Sequence, residues 1–385
     1  MSELEKVLYD LFPKVDLDDD GIERGLLAFS EYDIKEQFPF NGYKERVLFG
    51  KHYYSEELKE EKTNAFFVYK ALTIKINNNG IAAPSSFDPD NATGKCVFAK
   101  ELYSVLWGFT YKYSYFGTID MFQNEDLDNK LMLWGGDCLN SLQTTIKSEL
   151  GYSTIDCIKK MSDNPETFIK EMKESDMGAL FQISHAPGNF GIVPAYFNAY
   201  RGTSACLRDY LPQSLFFLKE SQNYNYSLLE KLEAYTRSPK YNNGGAKQFF
   251  SEYAPKMFGM YVNVMMLWDL VSYNSYNQID VHDYNGKKIT YLPDFHEIKD
   301  VSVWSKGVNK FVRRRGLFIG ALMYTYLYFK EEYCTIKSLI FVDEPMKKDG
   351  LVGYEAVFKR IYKGINNEQV KNTFIICQKM MNKLH

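Results

Sequence analysis

The sequence predicts an α+β protein, predominantly α-helical, with a small β-hairpin element and a long Gly/Pro-rich motif loop. Three observations carry this. Apolar residues recur at helical spacing through most of the second half of the chain. The pair Asn285-Gly286 separates two short strand-like runs at 280–284 and 287–291, the strongest short-range hairpin signal present. Residues 184–202 hold three glycines, two prolines, two asparagines and one arginine, a composition that breaks both periods.

Taken in order, residues 3–12 read as a short helix, 15–21 as an acidic turn and 22–34 as a second helix. The apolar run 65–76 fits either a strand or a helix, because so short a run does not settle its period. Residues 77–93, with Asn77-Asn78-Asn79-Gly80, Pro84, Ser85, Ser86 and Pro89, form the best linker of the amino-terminal half. They divide an amino-terminal α/β region, 1–93, from a motif-bearing core, 94–236. A mostly helical carboxy-terminal region, 237–385, is expected to pack on that core. Helical spacing follows at 97–109 and 128–150. Two short helices at 154–161 and 165–173 are parted by Asn164-Pro165, since proline disfavours α geometry in the residue before it. Beyond the motif loop, 205–220, 227–235 and 245–273 are helical, and 303–333 and 354–384 close the chain as helices after the hairpin. There is no internal repeat and no heptad seam.

The 385 residues are 45% hydrophobic and 25% charged, which excludes collagenous, mucin-like and wholly disordered chains. Lys and Arg number 46 against 49 Asp and Glu, a net charge of −3, so contact with nucleic acid has to come from a local basic patch. Six cysteines stand apart, at Cys96, Cys138, Cys157, Cys206, Cys334 and Cys377, with no C-x-x-C pair, and read as buried thiols. The amino terminus has acidic residues and no apolar h-region, which gives an expectation of cytoplasmic location. The longest uncharged apolar run, 316–329, is shorter than the roughly 20 residues needed to span a bilayer, so it reads as a buried helix and no membrane partner is expected.

Chemical motifs are sparse. Asp16-x-Asp18-x-Asp20-Gly21 matches the first half of a calcium loop, but Leu27 stands where a bidentate Glu belongs, leaving a solvated turn that caps the next helix. None of the five histidines forms an H-x-x-x-H or H-E-x-x-H pair. His282, beside Asp283 at the hairpin turn, reads as an exposed strand residue. His185 directly precedes the glycine-rich loop, where it serves either structure or chemistry. Phosphate-binding P-loops, dinucleotide fingerprints and the Gly-x-Ser-x-Gly elbow are all absent from the sequence. Lys310, Arg313, Arg314 and Arg315 form the densest basic cluster, either a grip on phosphates or a solvated helix face.

Two segments stand out together. Gly136-Asp137-Cys138-Leu139-Asn140-Ser141, read as part of a helix, places a carboxylate, an amide and a hydroxyl within one turn. Gly188-Asn189-Phe190, then Pro194, Asn198, Arg201 and Gly202, with Asp209 beyond, make up the loop. Positive-φ positions, rigid corners and side-chain amides suit such a loop either to binding a ligand or to bracing itself.

These segments resemble a widespread group of uncharacterised bacterial and phage proteins, a domain of unknown function carrying G-D-x-x-N-S, a G-N-F element, P-x3-N-x2-R-G and a later Asp. The likeness covers about residues 95–220, and the spacing of Pro194, Asn198, Arg201 and Gly202 is its specific part. It implies that Asp137, Asn140, Ser141, Asn189, Asn198, Arg201 and Asp209 share one site. A more distant likeness is to the HNH-like carboxy-terminal nuclease domain of GmrSD-type restriction enzymes, through Gly188-Asn189-Phe190, Asn198, Arg201, Trp304 and the step 312–315. That family's opening H-I-x-P element has no upstream counterpart here, Gly136-Asp137 occupying the comparable region. The likeness implies a metal-dependent nuclease of host–phage conflict using Mg2+ or Mn2+. Asp137 and Asn198 would hold the metal, His185 would act as base and Arg201 would clamp phosphate. Lys310 and Arg313 to Arg315 would guide the nucleic acid. The alternative is a non-catalytic interaction protein whose motif loop is a scaffold and whose aromatic surface meets a protein partner.

Overall fold

The computed structural model describes residues 1–32, 97–107, 137–138, 186–191, 211–220, 254–273, 278–290, 301–340 and 353–384. These residues are predominantly helical, with two small antiparallel strand pairs. The expected α+β class is therefore what is observed.

Helix α1, Glu3–Leu11, begins with a capping box: Ser2 Oγ accepts from the Glu5 N–H at 3.1 Å and Glu5 Oε2 accepts from the Ser2 N–H at 3.0 Å. Helix α2, Asp19–Ser30, is capped by Asp18, whose carboxylate accepts from the Gly21 N–H at 2.8 Å. The acidic run thus performs helix capping. Among the described residues, no group of three or more His, Cys, Asp or Glu is placed to hold a metal ion.

Helix α3, Val97–Trp107, packs beside α1, and the Leu4 N–H donates to Glu101 Oε2 at 2.7 Å. Two short strands, β1 at Asp137–Cys138 and β2 at Phe190–Gly191, pair antiparallel. The first of these corrects the expectation of a helix over 128–150 at those two positions. Helix α4, Leu211–Glu220, contacts helix α5, Ala254–Met265.

The predicted helix 245–273 ends early, at Met265. Met266 adopts φ 54°, in the left-handed region. A 3-10 turn at Trp268–Leu270 and strand β3, Val271–Tyr273, then follow. Strand β3 pairs with β4, Ile279–Val281. The Asn285-Gly286 turn forms as the sequence predicts, with Gly286 at φ 78° and a bridge between His282 and Lys288. The main partner of β4 is nevertheless β3, upstream, rather than the run after the turn.

Helix α6, Val301–Tyr328, is the axis of the described structure; at 1.5 Å per residue it is about 42 Å long. Every residue from Arg315 to Thr325 is buried, so this stretch is surrounded on all sides. Helices α7, Lys330–Ile340, α8, Gly353–Gly364, and α9, Glu368–Lys383, complete the fold. Among the described residues no helix is long and apolar enough to cross a membrane.

Aromatic side chains fill much of the interior. The Phe318 ring packs edge-on against Trp268, Tyr354 and Phe358 at centroid distances of 5.4, 5.4 and 5.7 Å. The two ends of the chain share this core. Tyr324 donates to the Val15 carbonyl at 2.5 Å, Tyr328 donates to the Phe12 carbonyl, and Asn372 donates to Asp19 at 2.7 Å. The expected boundaries near 93 and 236 lie outside the described residues. Described parts of all three segments contribute to one apolar cluster.

Candidate functional site

The described part of the motif loop is a 3-10 turn, Pro187–Asn189, running into β2. Proline at the first position presets its φ, and the Asn189 N–H closes the turn on the Ala186 carbonyl at 2.8 Å. The turn lies directly on α6. A Cβ built on Gly188 would stand 1.9 Å from the Val312 carbonyl oxygen and 2.8 Å from the Gly316 nitrogen, so only glycine permits this approach. From residue 186 to 191 all six positions are buried.

Strand β1 joins this loop to the upstream motif. Its register sets Asp137 opposite Gly191 and Cys138 opposite Phe190. Two clusters distant in sequence, Gly136-Asp137 and Gly188-Asn189-Phe190, are thereby brought side by side.

Arg315 fastens the assembly. Its Nη1 donates to the Gly188 carbonyl at 2.8 Å and to the Phe190 carbonyl at 2.6 Å, and its Nε donates to the Met265 carbonyl at 2.7 Å. Helix α5 ends at that last carbonyl, where a cation also meets the negative end of the helix dipole. The guanidinium lies over the Trp107 ring, 5.8 Å from its centroid, and the Trp107 indole N–H donates to the Val264 carbonyl at 2.9 Å. One side chain thus connects α6, α5, α3 and the motif turn. Burial pushes the Arg315 guanidinium down to about 10, which leaves it a cation at neutral pH.

This geometry revises the expected basic track. Consecutive helical residues point about 100° apart, so Arg313, Arg314 and Arg315 cannot face one ligand. Arg313 pairs with Glu31 just past the end of α2. Arg314 donates to Asp269 at 2.8 Å and to the Met381 carbonyl at 2.8 Å. Burial alone would lower the Arg314 guanidinium; the hydrogen bond and charge of Asp269 outweigh it and leave it raised. Arg315 is fully buried. Of the four residues, Lys310 has the exposed side chain. Among these four, Lys310 is the one that presents its charge to a phosphate arriving from solvent, because the arginines are engaged by protein acceptors.

The remaining expected site residues divide simply. Asp137 is placed by its backbone in β1, and Asn189 is wholly buried in the turn. Asn140, Ser141, His185, Asn198, Arg201 and Asp209 lie outside the described residues. Of the two expected metal ligands, Asp137 and Asn198, the second lies outside the described residues.

Sequence reasoning missed the role of Arg315, which follows a cationic neighbour and precedes glycine like any surface basic run. The available signal was its place on the helical repeat: Val308, Phe311, Val312 and Arg315 share the buried side of α6. The reading of His282 as an exposed strand residue also changes, for it is half-buried and hydrogen-bonded at both ring nitrogens. Comparison with protein-family models, curated proteins and solved structures finds no match to this chain.

Proposed function

We propose that the β1–β2 pair and the motif loop form one site for cleavage of phosphodiester bonds in nucleic acid, in the manner of an HNH-like, metal-dependent nuclease of host–phage conflict acting in the cytoplasm. One observation supports this reading. The register of β1 with β2 puts Asp137 across from Gly191, so the two sequence clusters assigned to a common site by resemblance are neighbours in space. In this reading Asp137 and Asn198 are the metal ligands, His185 the base and Arg201 the phosphate clamp. The engagement of Arg313, Arg314 and Arg315 leaves nucleic-acid binding to the motif loop and Lys310.

A second reading draws on a different observation. Arg315 ties up the carbonyls of Gly188 and Phe190, and Asn189 is buried, as expected of a loop that serves as scaffold in a non-catalytic interaction protein.

The deciding experiment is cleavage of single- and double-stranded DNA and RNA with magnesium or manganese, comparing wild type with Asp137→Asn, Asn198→Ala and Arg201→Ala. Divalent-ion-dependent cleavage that disappears in folded variants is the expected result. Absence of cleavage by folded wild type under every condition overturns the nuclease in favour of the scaffold.

A further inference from the structure

A second constellation lies on the β3–β4 sheet, independent of the motif loop. The register pairs Ser272 with Asp280, and the ladder continues as the His282 N–H donates to the Leu270 carbonyl at 2.8 Å. Strand alternation therefore places Ser272, Asp280 and His282 on one face of the sheet. There Ser272 Oγ lies 2.6 Å from His282 Nε2, and His282 Nδ1 lies 3.1 Å from the Gly286 carbonyl oxygen.

The two contacts assign each other's protons. A carbonyl oxygen only accepts, so Nδ1 donates to Gly286, and in the neutral tautomer this leaves the Nε2 lone pair facing the Ser272 hydroxyl. A base within hydrogen-bond reach of a hydroxyl, its far nitrogen held by a third group, is the arrangement that activates a serine. The Gly286 carbonyl takes the orienting role, and hydrogen bonds within the turn hold it in place. Asp283 accepts from the Asn285 and Lys287 N–H groups, each at 2.9 Å, and the Gly286 N–H donates to the Asp283 carbonyl at 3.0 Å. Ser272 and His282 are both half-buried, so the pair keeps access to solvent. Asp280 shares this face but is ion-paired at 2.8 Å with Lys288, which stands opposite His282, so the two charges offset each other and the face suits a neutral substrate.

We propose that Ser272 is a catalytic nucleophile activated by His282, in a second site that takes small neutral carboxylic esters. In the first step the Ser272 proton passes to Nε2, Oγ bonds to the ester carbonyl carbon, and the bond from that carbon to the alkoxy oxygen breaks. The imidazolium returns its proton to the departing alcohol. Water then adds to the acyl carbon with His282 again as base, releasing the carboxylic acid and regenerating the Ser272 hydroxyl.

The test uses the full chain, a fluorophosphonate probe and a short-chain p-nitrophenyl ester, without nucleic acid. A single adduct mapping to Ser272 is expected, with no adduct on Ser272→Ala. His282→Asn, shown to be folded by circular dichroism, should be labelled and turn over the ester at least about 100-fold more slowly. Ser272 left unlabelled in folded wild type, or labelled as fast in His282→Asn, overturns the proposal. Either outcome leaves the phosphodiester reading of the motif loop untouched, because the two sites share no residue.

Discussion

The carbonyl oxygen of Val312 occupies the space where a side chain on Gly188 would begin, 1.9 Å from an ideal Cβ. The motif turn is therefore seated backbone to backbone on α6, and its position depends on an atom that is missing from glycine alone. Gly188→Ala is expected to cost at least about 2 kcal/mol, since helix backbone cannot yield as a flexible side chain can. Denaturant midpoints of the two proteins check this. An unchanged midpoint would mean that the turn does not rest on α6.

Arg315 should be among the most sensitive positions of the chain. Arg315→Met retains bulk but leaves the carbonyls of Gly188, Phe190 and Met265 without their donor, a loss of roughly 3 kcal/mol or more. Arg315→Lys should recover only part of it, because an ammonium cannot reproduce the planar fork. By contrast Lys310→Ala, at an exposed position, should change stability by less than about 0.5 kcal/mol.

Lys337 gives a pH dependence with a definite sign. Its Nζ donates to the Val105 carbonyl at 2.9 Å, and burial pushes it down to about 8, below the ordinary lysine value of 10.5. Between these values the unfolded chain holds more protons than the folded one, so this group's contribution to stability rises as pH increases through that window. Below pH 8 the charged, buried form is a cost present in full. Lys337→Met should therefore be more stable than wild type at pH 7, by roughly 1 to 2 kcal/mol after allowance for solvent screening, with the gap closing toward pH 10. Paired melts across that range would reveal a gap of the wrong sign at once.

The amino-terminal segment should behave as core. Phe12 is fully buried, its ring sits 5.3 Å from that of Tyr324, and a Cβ on Gly25 would come within 2.3 Å of it. Phe12→Ala is expected to cost about 3 to 5 kcal/mol. A loss below about 1 kcal/mol in chemical unfolding would show that residues 1–32 are only loosely docked.

Asp18 distinguishes capping from calcium binding. Asp18→Ala should lower stability by about 1 kcal/mol through loss of the cap on Gly21. Millimolar calcium should leave the melting temperature of wild type unchanged. An upward shift with calcium, abolished in Asp18→Ala, would reinstate the ion.

Much of the helical content is legible along the chain. The starts at Glu3 and Val97, the burial of the run after Gly316 and the tight turn at Asn285-Gly286 all follow from spacing, caps and turn chemistry acting within a few residues. Where the reading fails, a distant partner is responsible. Asp137 and Cys138 form a strand because Phe190 and Gly191 offer backbone partners. The helix over 254–265 stops because its last carbonyls are taken by Trp107 and Arg315, after which Met266 turns left-handed. Of the candidate site, the two segments Gly136-Asp137 and Gly188-Asn189-Phe190 stand out in the sequence, whereas the pairing of Asp137 with Gly191 and the attachment of the turn to α6 do not.

What the sequence alone determined is the helical α+β class, the caps, the hairpin turn and the presence of two chemically dense segments, because each depends on local dihedral preference or on the period of apolar residues. Which way each side chain of 313–315 points was decided only in the folded protein. Three identical residues in a row take three different partners, Glu31, Asp269 and the carbonyls around Gly188, because the helix turns each about 100° from the last and a different element packs on each side. Tertiary packing likewise brought Ser272 to His282, since strand register sets which side chains share a face, and register is fixed between strands rather than within either one.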